Sequence, residues 1–251
     1  MTVPLAWLAR GEAGMPADQS WLAEGEAARA AGMRFTKRRT EYLLRRWAAK
    51  HAVAAATGRP ADPPALLARI EVRNAVTGAP LVWVDGLRTG LGISLTDRAG
   101  WAVCLVSGRS GPVGCDLELV EPRSAGFVRD FLTDAEQALV AAAGSAQLRD
   151  ELANLVWSAK ESALKVLRTG LRRDTRSVEV RLTEPASTVG SWSALVVRTA
   201  EGRELPGWWC RHGPFVLTVA YDAPARPPVS LEEPVALSSA EPVHSWVDRP
   251  V

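Results

Sequence analysis

The stretch Asn154-Leu-Val-Trp-Ser-Ala-Lys-Glu-Ser-Ala-Leu-Lys-Val-Leu-Arg168 constrains the fold of this chain more than any other. Leu155, Val156, Ala159, Ala163, Val166 and Leu167 recur at the spacing of one apolar helix face, so the segment predicts a helix that must pack against something. Trp157, Glu161 and Lys165 fall four apart and form a separate stripe along it. Gly170 supplies a stop. Taken alone, Glu161 and Lys165 read as a solvated ion pair worth about 0.2–0.5 kcal/mol.

A second acidic group changes that reading. Gly114-Cys-Asp-Leu-Glu-Leu119 alternates as a strand does, with Cys115, Leu117 and Leu119 on one face and Asp116 and Glu118 on the other. Two acids on one strand face repel, and a partly buried face tolerates them best with a cation between them. Asp116, Glu118 and Glu161 together offer hard oxygen ligands suited to Mg²⁺, an ion that keeps waters and also binds substrate phosphates.

A basic helix provides the opposite charge. Arg34 to Lys50 holds seven basic residues and one acid, Glu41, and the Ala-rich run that follows ends at Gly58. Leu43, Leu44, Trp47, Ala48 and Ala55 form its packing face. Arg39, Arg46 and Lys50, at i, i+7 and i+11, share a stripe with no acid on their own helix to pair with, which favours an anionic partner; Arg suits phosphate through its fork of donors. Nucleic acid ranks below a small phosphate ligand, because the basicity is confined to this stretch and no nucleic-acid motif accompanies it.

Composition narrows the class. A 251-residue chain, 47% hydrophobic and 23% charged, can bury a substantial core as one domain or two. A formal net charge of +2 says little about partners. Cys104, Cys115 and Cys210 are odd in number and lie in apolar strand-like runs, which suggests packed, reduced thiols in a cytoplasmic protein. His51, His212 and His244 have no metal-ligand spacing. Early acids and the lack of a long apolar core argue against a signal peptide, and no run reaches the ~20 apolar residues of a membrane span. The ten tryptophans are scattered, as core and pocket-wall residues are.

Along the rest of the chain a strand is expected near 3–9 and a helix near 21–31, followed by a Pro/Gly/Ala-rich loop over 59–80. Strands follow at 81–85, 91–96 and 101–106. The turn Gly108-Arg-Ser-Gly-Pro112 should join the last of these to the Asp116/Glu118 strand as a hairpin. Glu121-Pro122 marks a boundary. A helical region covers 127–144, and Thr133-Asp-Ala-Glu136 has the capping-box spacing of a fresh start. Strands are expected at 177–182, 191–197, 207–211 and 214–220, and the Pro-rich remainder has no periodicity. The expected organisation is an α+β chain with an N-terminal lobe over 1–121, a C-terminal lobe over 122–221 and a loose tail over 222–251. No residue-by-residue repeat stands out between the lobes.

Gly114-Cys-Asp-Leu-Glu118, with Trp157-Ser-Ala-Lys-Glu-Ser-Ala-Leu-Lys165 downstream, resembles the paired signature of the 4′-phosphopantetheinyl transferases of the single-chain, surfactin-synthetase-activating type. The resemblance runs from about residue 34 to about residue 221. It implies two similar α+β lobes in a pseudo-two-fold arrangement, with the active site in the cleft between them. It also implies transfer of the phosphopantetheine arm of coenzyme A to a serine of an acyl- or peptidyl-carrier protein by a monomer. Mg²⁺ would sit on Asp116, Glu118 and Glu161, with Glu161 and Lys165 as catalytic groups. Arg39, Arg46, Lys50, Gly78, Pro80, Ser94, Thr96 and Lys160 would bind coenzyme A, and the basic loop Arg172–Arg176 would meet the carrier. One position departs from the pattern: Leu95 stands where the family has histidine in a Ser-His-Thr element. That departure supports an alternative, a relative with lost or altered transfer that binds carrier proteins or processes acyl groups.

Overall fold

A computed structural model describes residues 3–108, 111–183, 190–232 and 235–243. The chain divides into two compact units. Residues 1–111 with 228–251 form the first, and residues 112–227 form the second.

The first unit contains β1 (Ala6–Gly11), α1 (Glu24–Ala31), α2 (Thr36–Thr57), β2 (Ile70–Asn74), β3 (Pro80–Val84), β4 (Leu87–Arg88), β5 (Gly92–Arg98) and β6 (Trp101–Ser107). The second contains β7 (Val113–Leu119), α3 (Ala125–Phe131), α4 (Asp134–Ala141), α5 (Ala146–Val166), β8 (Val178–Leu182), β9 (Ser193–Thr199), β10 (Glu204–His212) and β11 (Phe215–Tyr221). The chain then returns to the first unit through β12 (Val229–Ser230) and α6 (Val235–Ser238). The α+β class is as the sequence suggests. No helix among the described residues is long and apolar enough to cross a membrane.

In the first unit α2 packs on β6 and β1. Leu43, Leu44, Trp47, Ala48 and Val53 interlock with Leu8, Ile93, Cys104 and Val106 to make its core. Ala55, expected on this face, is exposed. Gly58 ends the helix in the left-handed region at φ 65°, which glycine adopts without steric cost. In the second unit α5 lays Leu155, Val156, Ala159, Ala163 and Val166 on a core with Val178, Val180, Val197, Val216 and Ala220. This helix stops before Gly170, because Arg168 already takes the left-handed conformation at φ 58°.

The hairpin expected between β6 and β7 does not form. β6 has both edges taken, by β1 and β5, so β7 has no edge there to join and instead lies antiparallel to β11 in the second unit. The units therefore part between Gly111 and Pro112, ahead of the Glu121-Pro122 boundary, and the acidic strand lies in the second unit instead of closing the first. Arg109 and Ser110 of the expected turn lie outside the described residues, as does His244.

The described residues after Asp222 do not form a loose tail. β12 runs parallel to β1, Val229 and Leu231 donate to the Leu5 and Trp7 carbonyls at 3.0 and 2.9 Å, and Val243 donates to Ala99 at 2.8 Å. Leu237 is fully buried. β1 pairs on one side with β6 and would otherwise leave its other backbone edge bare.

Both units follow one plan. The second has a single sheet in the order β7-β11-β10-β9-β8; the first repeats it as β1-β6-β5 and, in a separate ribbon, β3-β2. Each sets its long helix between the first and second strands of that plan. Within those helices Trp47-Ala-Ala-Lys50 matches Trp157-Ser-Ala-Lys160, a repeat too short to notice without the topology.

Candidate functional site

The acids and α5 meet because β7 lets the helix come unusually close. A Cβ added at Gly114 would overlap the backbone carbonyl oxygen of Ser162 and lie 3.2 Å from Val166 Cγ2. Ser158 Oγ donates to the Asp116 carbonyl at 3.1 Å, Ser162 Oγ donates to the Thr218 carbonyl at 3.1 Å, and both hydroxyls lie within 2.9 Å of Thr218 Oγ1. The glycine and serines of the two signatures are thus packing residues that seat helix on strand. Gly114→Ala should force the two apart and cost about 1–3 kcal/mol, the usual size of overpacking in a tight core. A fall in the urea midpoint with an unchanged denaturant slope would be the expected record.

This seating brings the Trp157–Glu161–Lys165 stripe against the acid face of β7. Lys165 Nζ donates to Asp116 Oδ1 and to the Cys115 carbonyl, both at 2.8 Å. Burial works to lower the Lys165 ammonium, but the Asp116, Cys115 and Glu161 charges and the bond to Asp116 outweigh it and hold it above the usual lysine value. Glu161 Oε1 is buried with no hydrogen-bond partner among the described residues. Burial first, then the Asp116 charge, pushes the Glu161 carboxyl above the ordinary carboxylate range, and Lys165 pulls weakly the other way. A half-buried carboxylate beside a second acid favours either protonation or a nearby positive charge.

Glu118 does not converge on the same point. Its Oε1 accepts from Trp157 Nε1 at 2.9 Å and its Oε2 from Arg123 Nη2 at 2.9 Å. Among the described residues, no three His, Cys, Asp or Glu side chains form a group able to hold a metal ion. Asp116 and Glu161 are close enough to feel each other's charge; Glu118 is held by other partners.

Two predicted phosphate ligands, Lys50 and Lys160, are buried staples. Lys160 Nζ donates to Glu136 Oε2 at 2.7 Å and to the Thr175 and Val178 carbonyls at 3.0 and 2.7 Å. Lys50 Nζ donates to Glu26 Oε2 at 2.6 Å, to the Leu67 carbonyl at 3.0 Å and to the Ile70 carbonyl. An ammonium has three donors, so neither has one left for a ligand. The two glutamates match as well. Glu136 accepts from Thr133 N and Val180 N, each at 2.7 Å, and Glu26 accepts from Ala23 N and Val72 N at 3.0 and 2.9 Å. Each clip ties the long helix, the start of the short helix before it and the strand after it into one unit. Both lysines are pulled below the ordinary value by burial, with their glutamates pulling back.

The remaining predicted ligands of the first unit do not gather either. Arg46 is 4% exposed, lies 3.6 Å from Glu26 Oε1, donates to Asn74 Oδ1 at 3.1 Å and stacks 4.6 Å from the centre of the Tyr42 ring. Its stripe does find an acid, on α1 and not on its own helix. Arg39 is half-buried, and its Nε has no hydrogen-bond partner among the described residues. Gly78 makes the β2–β3 turn at φ 89°, and Pro80 opens β3 opposite Asn74. Ser94 and Thr96 are buried on β5, while Leu95, opposite Cys104, packs on the core of the unit.

Sequence reasoning missed Glu26, Arg123 and Asn154, and read Glu136 only as a helix cap and not as the partner of Lys160. Asn154 carried a usable signal: it is a polar residue, 0% exposed, three positions before Trp157 on a helix whose neighbouring positions are apolar, so it needs partners. It donates to the Glu121 and Asp150 carbonyls at 2.7 and 2.8 Å and accepts from Arg123 Nε at 2.6 Å.

No curated protein matches the chain. Among solved structures, a holo-(acyl-carrier-protein) synthase from Bacillus anthracis str. Ames in complex with CoA (3′,5′-ADP) is 26% identical over 42% of this chain and 95% of its own, with a TM-score of 0.36. The Thermotoga maritima holo-[acyl-carrier-protein] synthase is 21% identical over 53% of this chain and 76% of its own, with a TM-score of 0.35. Residues 112–206, the segment that holds Asp116, Glu118, Glu161 and Lys165, match the sequence model of the 4′-phosphopantetheinyl transferase superfamily.

Proposed function

We propose that the protein is a monomeric, cytoplasmic 4′-phosphopantetheinyl transferase of the single-chain, surfactin-synthetase-activating type, acting on a serine of an acyl- or peptidyl-carrier protein. The observation that carries this is the Asp116–Glu161 pair beside Lys165, with Glu161 Oε1 buried and unpaired among the described residues, inside the segment that matches the superfamily. The donor set fits Mg²⁺, which is commonly bound by one or two carboxylates together with substrate phosphates. Asp116 and Glu161 would hold the ion, and bound there it supplies charge neutralisation to the pyrophosphate of coenzyme A.

The reaction joins the carrier serine oxygen to the β-phosphorus of coenzyme A and breaks the bond from that phosphorus to the bridging oxygen, so 3′,5′-ADP leaves. Such a transfer needs positioning and charge stabilisation more than covalent help. The serine proton passes to Glu161 or to a water it orients. Lys165, fixed by Asp116 and the Cys115 carbonyl, offers its charge to the phosphate oxygens. The purified protein with Mg²⁺, coenzyme A and a carrier protein should add the mass of one phosphopantetheine arm to the carrier. No added mass with any carrier defeats the proposal.

A pH dependence follows. The raised Glu161 pKa means that Mg²⁺ must displace a proton at pH values where an ordinary glutamate is already ionised. Mg²⁺ affinity measured by calorimetry should therefore fall as pH drops through a midpoint above the usual carboxylate range, and Glu161→Gln should abolish that dependence. Fold stability should move the opposite way. A raised folded-state pKa contributes stability that is complete below the unfolded value and lost as pH rises through the folded one.

A second reading has its own support. Leu95 packs on the apolar core, and Arg46 and Lys50 are both committed to Glu26, so fewer groups than expected are available for coenzyme A. On this reading the protein binds a carrier protein, or processes an acyl group on it, without transferring the arm. Calorimetry separates the two: Mg²⁺-dependent binding of coenzyme A favours the transferase, and binding of carrier protein alone favours the second reading.

A further inference from the structure

The geometry points to a carboxylate latch at Glu118: Arg123 holds this third acid out of the Asp116–Glu161 pair and hands it over when a divalent cation binds. The inference rests on the metal reading above. Four side chains close a ring around the latch. Glu118 accepts from Trp157 and from Arg123, both at 2.9 Å; the Arg123 guanidinium stacks 4.8 Å from the Phe127 ring centre; Phe127 meets Trp157 edge-on with centroids 5.1 Å apart. Asn154 anchors the guanidinium from behind through the 2.6 Å bond to Arg123 Nε. The two charged side chains are only 16% and 12% exposed, so solvent screens their attraction weakly.

Charge explains why such a device is needed. Three acids brought together by β7 and α5 would repel one another in the metal-free protein. Lys165 neutralises Asp116, and Arg123 neutralises Glu118, while Glu161 has no ion pair of its own among the described residues and feels Lys165 only weakly. A divalent cation brings the charge that makes Arg123 dispensable to Glu118. Arg123 need not leave when it lets go, because Glu121 lies 3.9 Å from its Nη1 and Asn154 and Phe127 remain in place. Trp157 is the reporter, since its indole N–H loses the Glu118 acceptor in the same movement. Arg123 is therefore a positioning residue that acts through Glu118.

The test uses the full chain with ¹⁵N-labelled tryptophan, the Trp157 indole signal being identified by its loss in Trp157→Phe. Titration with MgCl₂, alone and with coenzyme A, should move that signal as binding saturates. Arg123→Gln should tighten Mg²⁺ binding, measured by calorimetry, by roughly tenfold, because a competing cation is gone. Arg123→Lys, which keeps the charge and loses the fork, should fall between the two. Saturable Mg²⁺ binding that Glu161→Gln weakens, but with the Trp157 signal unmoved or Arg123→Gln no tighter than wild type, overturns the latch and leaves the metal reading intact. No saturable response to Mg²⁺ overturns the metal reading and the latch with it. Should Arg123→Gln fail to fold, the wild-type Trp157 titration decides alone.

Discussion

Glu161→Gln is expected to lower arm transfer by on the order of 10²-fold or more, the range of a positioned acid–base group, while leaving the protein at least as stable as wild type. The two halves of this expectation have one cause. Glu161 is pushed up by burial and by Asp116, and it has a buried oxygen without a hydrogen-bond partner among the described residues. Its ionised form is therefore a burden on the metal-free fold, as functional carboxylates often are. Glutamine keeps the shape and removes the charge. Carrier-protein mass spectrometry and a thermal melt of the same preparation check the pair. Retained transfer removes Glu161 from the chemistry; lost transfer with a large drop in melting temperature makes it structural.

Lys160→Met is expected to destabilise the protein by about 3–5 kcal/mol, the cost of stranding one member of a buried ion pair. Glu136 would keep its bonds from Thr133 N and Val180 N and lose the ammonium that neutralises it. With a typical native margin of about 5–15 kcal/mol, that is a large share of the whole. The double variant Lys160→Met with Glu136→Leu should recover part of the loss, because an apolar pair of similar volume needs no compensation. Lys50→Met should behave in the same way, since its ammonium has the same kinds of partner: one glutamate and two carbonyls. Urea unfolding reads all three. The rival reading, in which Lys160 grips a pyrophosphate, expects the reverse: stability near wild type and a weaker coenzyme A complex.

The contrast between Glu161 and Lys160, neighbours in one signature, shows where the sequence was informative. Periodicity placed α2, α5 and most strands correctly, because each must bury one face and writes that need into its spacing. The capping spacing at Thr133 marked the start of α4, and both reciprocal bonds are present, from Glu136 N to Thr133 Oγ1 at 3.4 Å and from Thr133 N to Glu136 Oε2 at 2.7 Å. Spacing could not reveal that Glu136 does a second task as the counter-ion of Lys160, because that pairing spans separate elements. A fully buried lysine also looks, in sequence, no different from one on a basic helix surface. The hairpin between β6 and β7 failed for a related reason: adjacency in sequence favours pairing only while an edge is open.

The chain by itself determined most of the helices and strands, and that Asp116 on an extended segment and Glu161 on a helix bring their charges near each other. These follow from local periodicity and charge, which survive in one dimension. Only the tertiary structure decided that the acidic strand belongs to the second unit, and that Lys50 and Lys160 serve as matching internal clips. It alone placed Glu118 with Arg123 and Trp157 instead of with Asp116 and Glu161. Those outcomes depend on which buried charge finds which partner, and that competition is settled by distances between residues far apart in the chain.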